Sequence, residues 1–128
     1  MLSMKKHRKT DTQKEISPGY HCCARIWIEK DGETFVGFGR VVLLENIAEH
    51  GSISAAAKAM KMSYKHAWDL VDAMNRNARS PLVEKSTGGK GGGGAVVTEA
   101  GLKRIQEFYD MHKRLTEFLR KETDRLSL

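Results

Sequence analysis

Apolar positions change their spacing several times along this chain, and each change marks an element. Residues 24–28 and 33–38 hold Ile26, Trp27, Ile28, Thr34, Phe35 and Val36, side chains that sit well on a pleated surface. Between them stands Asp31-Gly32, a dipeptide favoured in tight hairpin turns because it tolerates positive φ. A β-hairpin is predicted. Gly37 and Gly39 then lead into a helix over about 40–49, where Val41, Leu44, Ile47 and Ala48 recur at helical intervals and place one face in a core. Gly51 ends that helix, as a residue at ease with positive φ does.

From Ser52 to Asn77 the pattern is that of two short helices. Ser52 is placed to N-cap the first, residues 53–60, in which Ala55, Ala56, Ala57 and Ala59 combine helical propensity with a small cross-section. Lys61-Met62 makes the turn and Ser63 caps the second helix. On it Ala67, Val71 and Met74 form one stripe, expected to pack on Ala56, Met60 and the preceding helix. The other face carries Tyr64, Lys65, Trp68, Asp69 and Asp72. A helix of this kind fits a major groove about 12 Å wide, its first turns reaching base edges. Its free N–H groups attract phosphate. Any helical hairpin with a polar outer face shares that pattern, so the next segment matters.

After Pro81 come two strand-like runs, Leu82-Val83-Glu84-Lys85 and Ala95-Val96-Val97-Thr98, joined by the glycine-rich stretch 87–94. Two strands with a tip nearly bare of side chains make a wing, whose backbone approaches phosphate closely while Lys90 adds a charge. A Walker-type loop needs Ser or Thr after its Lys, and Gly91 follows Lys90. Gly89, Gly91 and Gly94 fit G-x-G-x-x-G, but a strand follows where a dinucleotide site has a helix. A plain linker is the remaining alternative. Thr98 then N-caps a long helix to about residue 125, with Glu99 near the positive end of its dipole. Ile105, Phe108, His112, Leu115, Leu119, Glu122 and Leu126 follow an a/d rhythm. That seam predicts pairing with a second copy; packing on its own domain is the alternative.

Composition narrows the function classes. With 128 residues the chain supports one domain with a real core, and 22 Lys+Arg against 16 Asp+Glu leaves +6, a surplus that favours polyanionic partners, nucleic acid or an anionic membrane surface. No apolar run approaches the roughly 20 residues that span a bilayer. Lys5, Lys6, Arg8 and Lys9 have no apolar stretch behind them, so a basic tail over 1–19 is expected and not a secretory signal. Cys22 and Cys23 are adjacent, a poor disulfide geometry, and fit reduced thiols of a cytoplasmic protein. Together with His21 they fall short of a metal-ligand set. His66, Asp69 and Asp72 share one helix, yet nothing faces them, so no enzyme, metal or cofactor is expected.

The run Gly51-Ser52-Ile53-Ser54-Ala55-Ala56-Ala57-Lys58, then Ser63-Tyr64-Lys65-His66-Ala67-Trp68-Asp69, resembles the N-terminal domain of the molybdate-responsive ModE regulators. Met74-Asn75, Leu82-Val83-Glu84, the wing and Val97-Thr98 extend the similarity in order, over about residues 24–120. A looser similarity links it to the LysR-type helix-turn-helix. The resemblance implies that Ser63, Tyr64, Lys65 and Trp68 face DNA and that the wing reaches a flanking groove or backbone. Two departures stand out. The family's C-terminal oxyanion-sensing region has no counterpart before Leu128, so molybdate control is not expected to carry over. Lys61 also stands where the family usually has Gly in the turn.

These readings converge on a mainly α fold with small β content: a winged helix-turn-helix with an N-terminal hairpin, a two-stranded glycine-rich wing and a long C-terminal dimerisation helix. Its expected parts are the tail (1–19), the DNA-binding domain (20–98) and the dimerisation helix (99–128). The expected function is sequence-specific recognition of double-stranded DNA by a homodimeric, cytoplasmic transcription regulator, with no effector ligand named. Ser52, Ser54, Ser63, Tyr64, Lys65, Trp68, Asp69, Thr87 and Lys90 are the expected DNA contacts. Ile105, Phe108, His112, Leu115 and Leu119 are the expected dimer contacts. A non-specific architectural DNA protein and a protein-interaction module are the alternatives.

Overall fold

The computed structural model describes residues 16–86 and 93–128. In it Asp31 and Gly32 both take positive φ, 52° and 81°, the backbone that a two-residue hairpin turn of the primed type needs. They join β1 (Trp27–Lys30) to β2 (Glu33–Gly37), antiparallel with Ile28 opposite Val36 and a bulge at Ile28/Glu29. The first strand begins at Trp27, later than the apolar pattern suggested. The chain continues through α1 (Phe38–His50), α2 (Ile53–Ala59), α3 (Tyr64–Asn77), β3 (Val83–Lys85), β4 (Ala95–Val97) and α4 (Glu99–Arg125). The two small sheets, β1-β2 and β3-β4, are separate. This is a winged helix-turn-helix.

α1 differs from the expected half-buried helix. It starts at Phe38, with Gly39 inside it, and every residue from Val41 to Ile47 is buried, while Ala48 is exposed. The reason is its central place: β2, α2, β4 and α4 all pack against it, so it has no long solvent face in its middle turns. Two polar residues are enclosed with it. Asn46 Nδ2 donates to the Val42 carbonyl at 2.9 Å, and Glu45 accepts from Tyr109. Buried polar groups satisfied in this way avoid the cost of an unmade bond. Gly51 closes α1 at φ 78°, its N–H on the Ile47 carbonyl.

The helix-turn-helix forms as the caps dictate. Ser52 Oγ accepts from the Ala55 N–H, and Ser63 Oγ from the His66 N–H, each at 3.0 Å. Lys61 between them has φ 56°, the left-handed conformation that its place in the turn required. Ala67, Val71 and Met74 are the buried residues of α3, and they join Ala56 in the core cluster with Met60 packed against it.

α4 begins as expected, Thr98 Oγ1 accepting from Gly101 N–H at 3.0 Å. Its seam divides in two. Ile105 and Phe108, expected at a dimer interface, are 7% and 1% exposed inside the domain's own core. A heptad rhythm reports which side of a helix is apolar and not whose core it enters. Burying a Phe contributes about 1.5–3 kcal/mol, and here the monomer captures that gain. Farther along, His112 is exposed, Leu115 and Leu119 are half-buried, and Phe118 is exposed. The segment before β1 reaches this region: the Cys22 N–H donates to Thr123 Oγ1 at 3.0 Å. Cys22 and Cys23 are free thiols. Among the described residues no helix is long and apolar enough to cross a membrane.

Candidate nucleic-acid interface

With one stripe of α3 held in the core, its opposite side is presented outward. Tyr64 and Trp68 are 55% and 41% exposed, a large apolar area to leave in water on one helix face. Lys65 extends beside them, its ammonium 2.9 Å from Asp69 Oδ2. Such an exposed pair contributes about 0–1 kcal/mol, so Lys65 is free to exchange its carboxylate for another acceptor. Asp72 is held likewise by Arg76 Nη1 at 3.0 Å. Each of the two carboxylates on this face therefore has a cation, and neither leaves uncompensated negative charge there.

The other end of α3 is tied to the hairpin. Glu33, beside the turn, accepts from Arg76 Nη2 at 2.8 Å and from Asn77 Nδ2 at 2.9 Å. The Asn77 amide, with the Arg76 charge beside it, holds the Glu33 carboxyl below its ordinary range. Arg40 sits close enough to add to that pull, while its own burial lowers its pKa. The hairpin thus braces the far end of the helix whose first turns are exposed.

The expected contact residues fall into three groups. Ser63, Tyr64, Lys65, Trp68 and Asp69 lie together on the start and outer side of α3, all exposed. Ser54 is exposed on α2, whereas Ser52 is half-buried and its hydroxyl is engaged as the cap of α2. Thr87 and Lys90 lie outside the described residues, which include only the wing's strands. Between those strands and α3 runs a groove of about 250 Å³ lined by Tyr64, Trp68, Asp72, Asn75, Val83 and Gly94 among others. The glycine at its rim is closely packed: a Cβ on Gly94 would stand 2.9 Å from Ser86 Cβ. The root of β4 is fixed by Ala95 N–H on the Gly51 carbonyl at 2.8 Å.

Asn75 and Arg76 were not among the expected site residues. Arg76 gives only an (i, i+4) spacing to Asp72 in the sequence, and Asn75 gives no periodic signal, because its partners are backbone groups of the next strand. Among the described residues no three potential ligands gather in a metal site.

Comparison with known proteins agrees with this geometry. Residues 38–102, half of the chain, match the bacterial regulatory helix-turn-helix proteins of the lysR family. The DNA-binding transcriptional dual regulator ModE of Escherichia coli is 49% identical over 88 residues, covering 69% of this chain and 32% of the relative. Transcriptional regulator ModE of Haemophilus influenzae is 46% identical over 83 residues, covering 65% and 32%. Molybdenum-pterin-binding protein MopA of Rhodobacter capsulatus is 44% identical over 96 residues, covering 75% and 36%. The chain spans about a third of the length of these curated relatives.

Proposed function

The chain belongs to the lysR family of bacterial regulatory helix-turn-helix proteins, and from that premise we propose that it is a cytoplasmic transcription regulator that reads double-stranded DNA. It is not an enzyme, in keeping with the regulators it resembles. In this reading the first turns of α3 enter the major groove. Lys65 donates to guanine edges, Tyr64 and Trp68 meet thymine methyl groups, and Ser63 lies beside a phosphate. Ser52, Ser54 and Asp69 border that contact. The wing tip, with Thr87 and Lys90, takes the flanking backbone. The observation that carries the reading is the outward Tyr64-Lys65-Trp68 face of a helix whose opposite stripe is locked in the core.

The same reading makes the working form a homodimer. α4 runs well past its last buried residue, Tyr109, and His112, Leu115 and Leu119 lie on that extension with Phe118 exposed nearby. Two recognition helices about 34 Å apart would meet successive turns of one duplex face. Selection of bound sequences from a random duplex pool tests the proposal. Enrichment of a two-fold-related motif is expected. Retention of the pool without enrichment would mean an architectural protein, and no salt-dependent retention would mean a protein-interaction module.

A further inference from the structure

The residues that leave α3 for the wing are gripped from two sides. On the α3 side stands the half-buried Asn75. Its Oδ1 accepts from the Leu82 N–H at 2.8 Å and the Val83 N–H at 3.2 Å, and its Nδ2 donates to the Val83 carbonyl at 3.0 Å. On the other side, the Leu82 carbonyl accepts from the Thr98 N–H at 2.9 Å, and Thr98 Oγ1 donates to the Pro81 carbonyl at 2.7 Å. One side chain of the recognition helix thus holds three backbone groups at the point where β3 begins.

We propose that Asn75 is a positioning residue that sets the wing's direction relative to α3 and so fixes the spacing between the two parts that grip DNA. The inference rests on the reading of α3 and the wing as a DNA interface. Asn75 lines the same groove as Tyr64 and Trp68 of α3 and Val83 and Ala95 of the wing strands. Its chemistry suits the task. An acceptor shared by two consecutive N–H groups, with a donor in the same plane for the following carbonyl, defines the strand's orientation as well as its distance. A leucine of similar size would fill the space and leave all three backbone groups without this partner. An aspartate would keep the two acceptor bonds and lose the donor.

The test uses the full chain with Cys22→Ser and Cys23→Ser, and spin labels on His66→Cys and Val96→Cys, both at exposed positions. The distance distribution is recorded in free labelled protein, and hydroxyl-radical footprints are taken with the unlabelled chain, His66 and Val96 retained, on a selected duplex. With Asn75 present, one narrow distance population is expected. Asn75→Leu is expected to broaden it and to remove protection of the flanking backbone while the half-site centre stays protected, with affinity at least tenfold weaker. Asn75→Asp should restore part of both. A narrow distribution and an intact flanking footprint in Asn75→Leu, with only the melting temperature lowered, would reduce Asn75 to a stabilising role and overturn the proposal. If no variant leaves a footprint, the DNA reading fails, and the distance distributions alone decide whether Asn75 orients the wing.

Discussion

The Tyr109 hydroxyl donates a 2.6 Å hydrogen bond to Glu45 Oε1, joining α4 to α1 where both residues are buried. Tyr109 is the last buried residue of α4, which continues beyond it with Leu115 and Leu119 half-buried. Tyr109→Phe keeps the ring that packs edge-on against Phe38 and removes only the hydroxyl. Taking one partner from a buried polar group costs about 1–3 kcal/mol. Urea unfolding should show that loss as a shifted midpoint with unchanged slope, and DNA affinity per folded molecule should stay the same. An unchanged midpoint would mean the bond adds nothing.

Gly101 offers a sharper test of packing. In an exposed helix interior Ala is favoured over Gly by about 1 kcal/mol, so propensity alone predicts that Gly101→Ala stabilises. A Cβ here would collide with the Leu82 carbonyl oxygen and stand 2.6 Å from Val97 Cγ1. The carbonyl is backbone and already bonded to Thr98, so it cannot swing aside. Overpacking of this kind costs about 1–3 kcal/mol, and net destabilisation is expected. A raised melting temperature would show that α4 shifts freely over the wing root.

Lys61 holds φ at 56° in the turn between α2 and α3. The left-handed conformation costs a non-glycine residue about 1–2 kcal/mol, and glycine's extra backbone freedom when unfolded returns roughly 0.5–1 of that. Lys61→Gly should therefore stabilise slightly, raising the melting temperature by a few degrees without abolishing DNA binding. A clear loss of stability would show that the lysine side chain contributes more than its strain removes.

Reader and anchor residues should separate by sequence dependence. Lys65→Ala is expected to cost about 1–3 kcal/mol on the selected site and less on random duplex. Lys90→Ala should weaken both by similar amounts and lower the salt slope by about one. Fluorescence anisotropy over a range of salt concentrations measures both. Equal losses for both variants on both duplexes would erase the distinction.

Local chemistry made much of this fold legible. Asp31-Gly32, Gly51, Ser52, Ser63 and Thr98 act through their own backbone and capping bonds, so each declares its element without tertiary context. The stripe of Ala67, Val71 and Met74 was equally plain, because α3 packs on one side only. What stayed hidden depended on neighbours distant in sequence. α1 is enclosed on several sides, so Glu45 and Asn46 belong to the core despite their polarity. Ile105 and Phe108 obey a dimer rhythm yet fill the monomer. Asn75 recognises backbone groups, which leave no mark on residue identity. The outer face of α3 was legible as a surface, because the stripe opposite it is the one the core takes.

The most direct test of the central claim, that the Tyr64-Lys65-Trp68 face of α3 lies in the major groove, is methylation interference on a selected duplex. Methylation of guanine N7 alters the major-groove edge, whereas methylation of adenine N3 alters the minor groove. Blocked binding is expected from guanine N7 methylation within each half-site, and Lys65→Ala should lose that sensitivity. Binding that tolerates every major-groove methylation, or is blocked only from the minor groove, would contradict the claim.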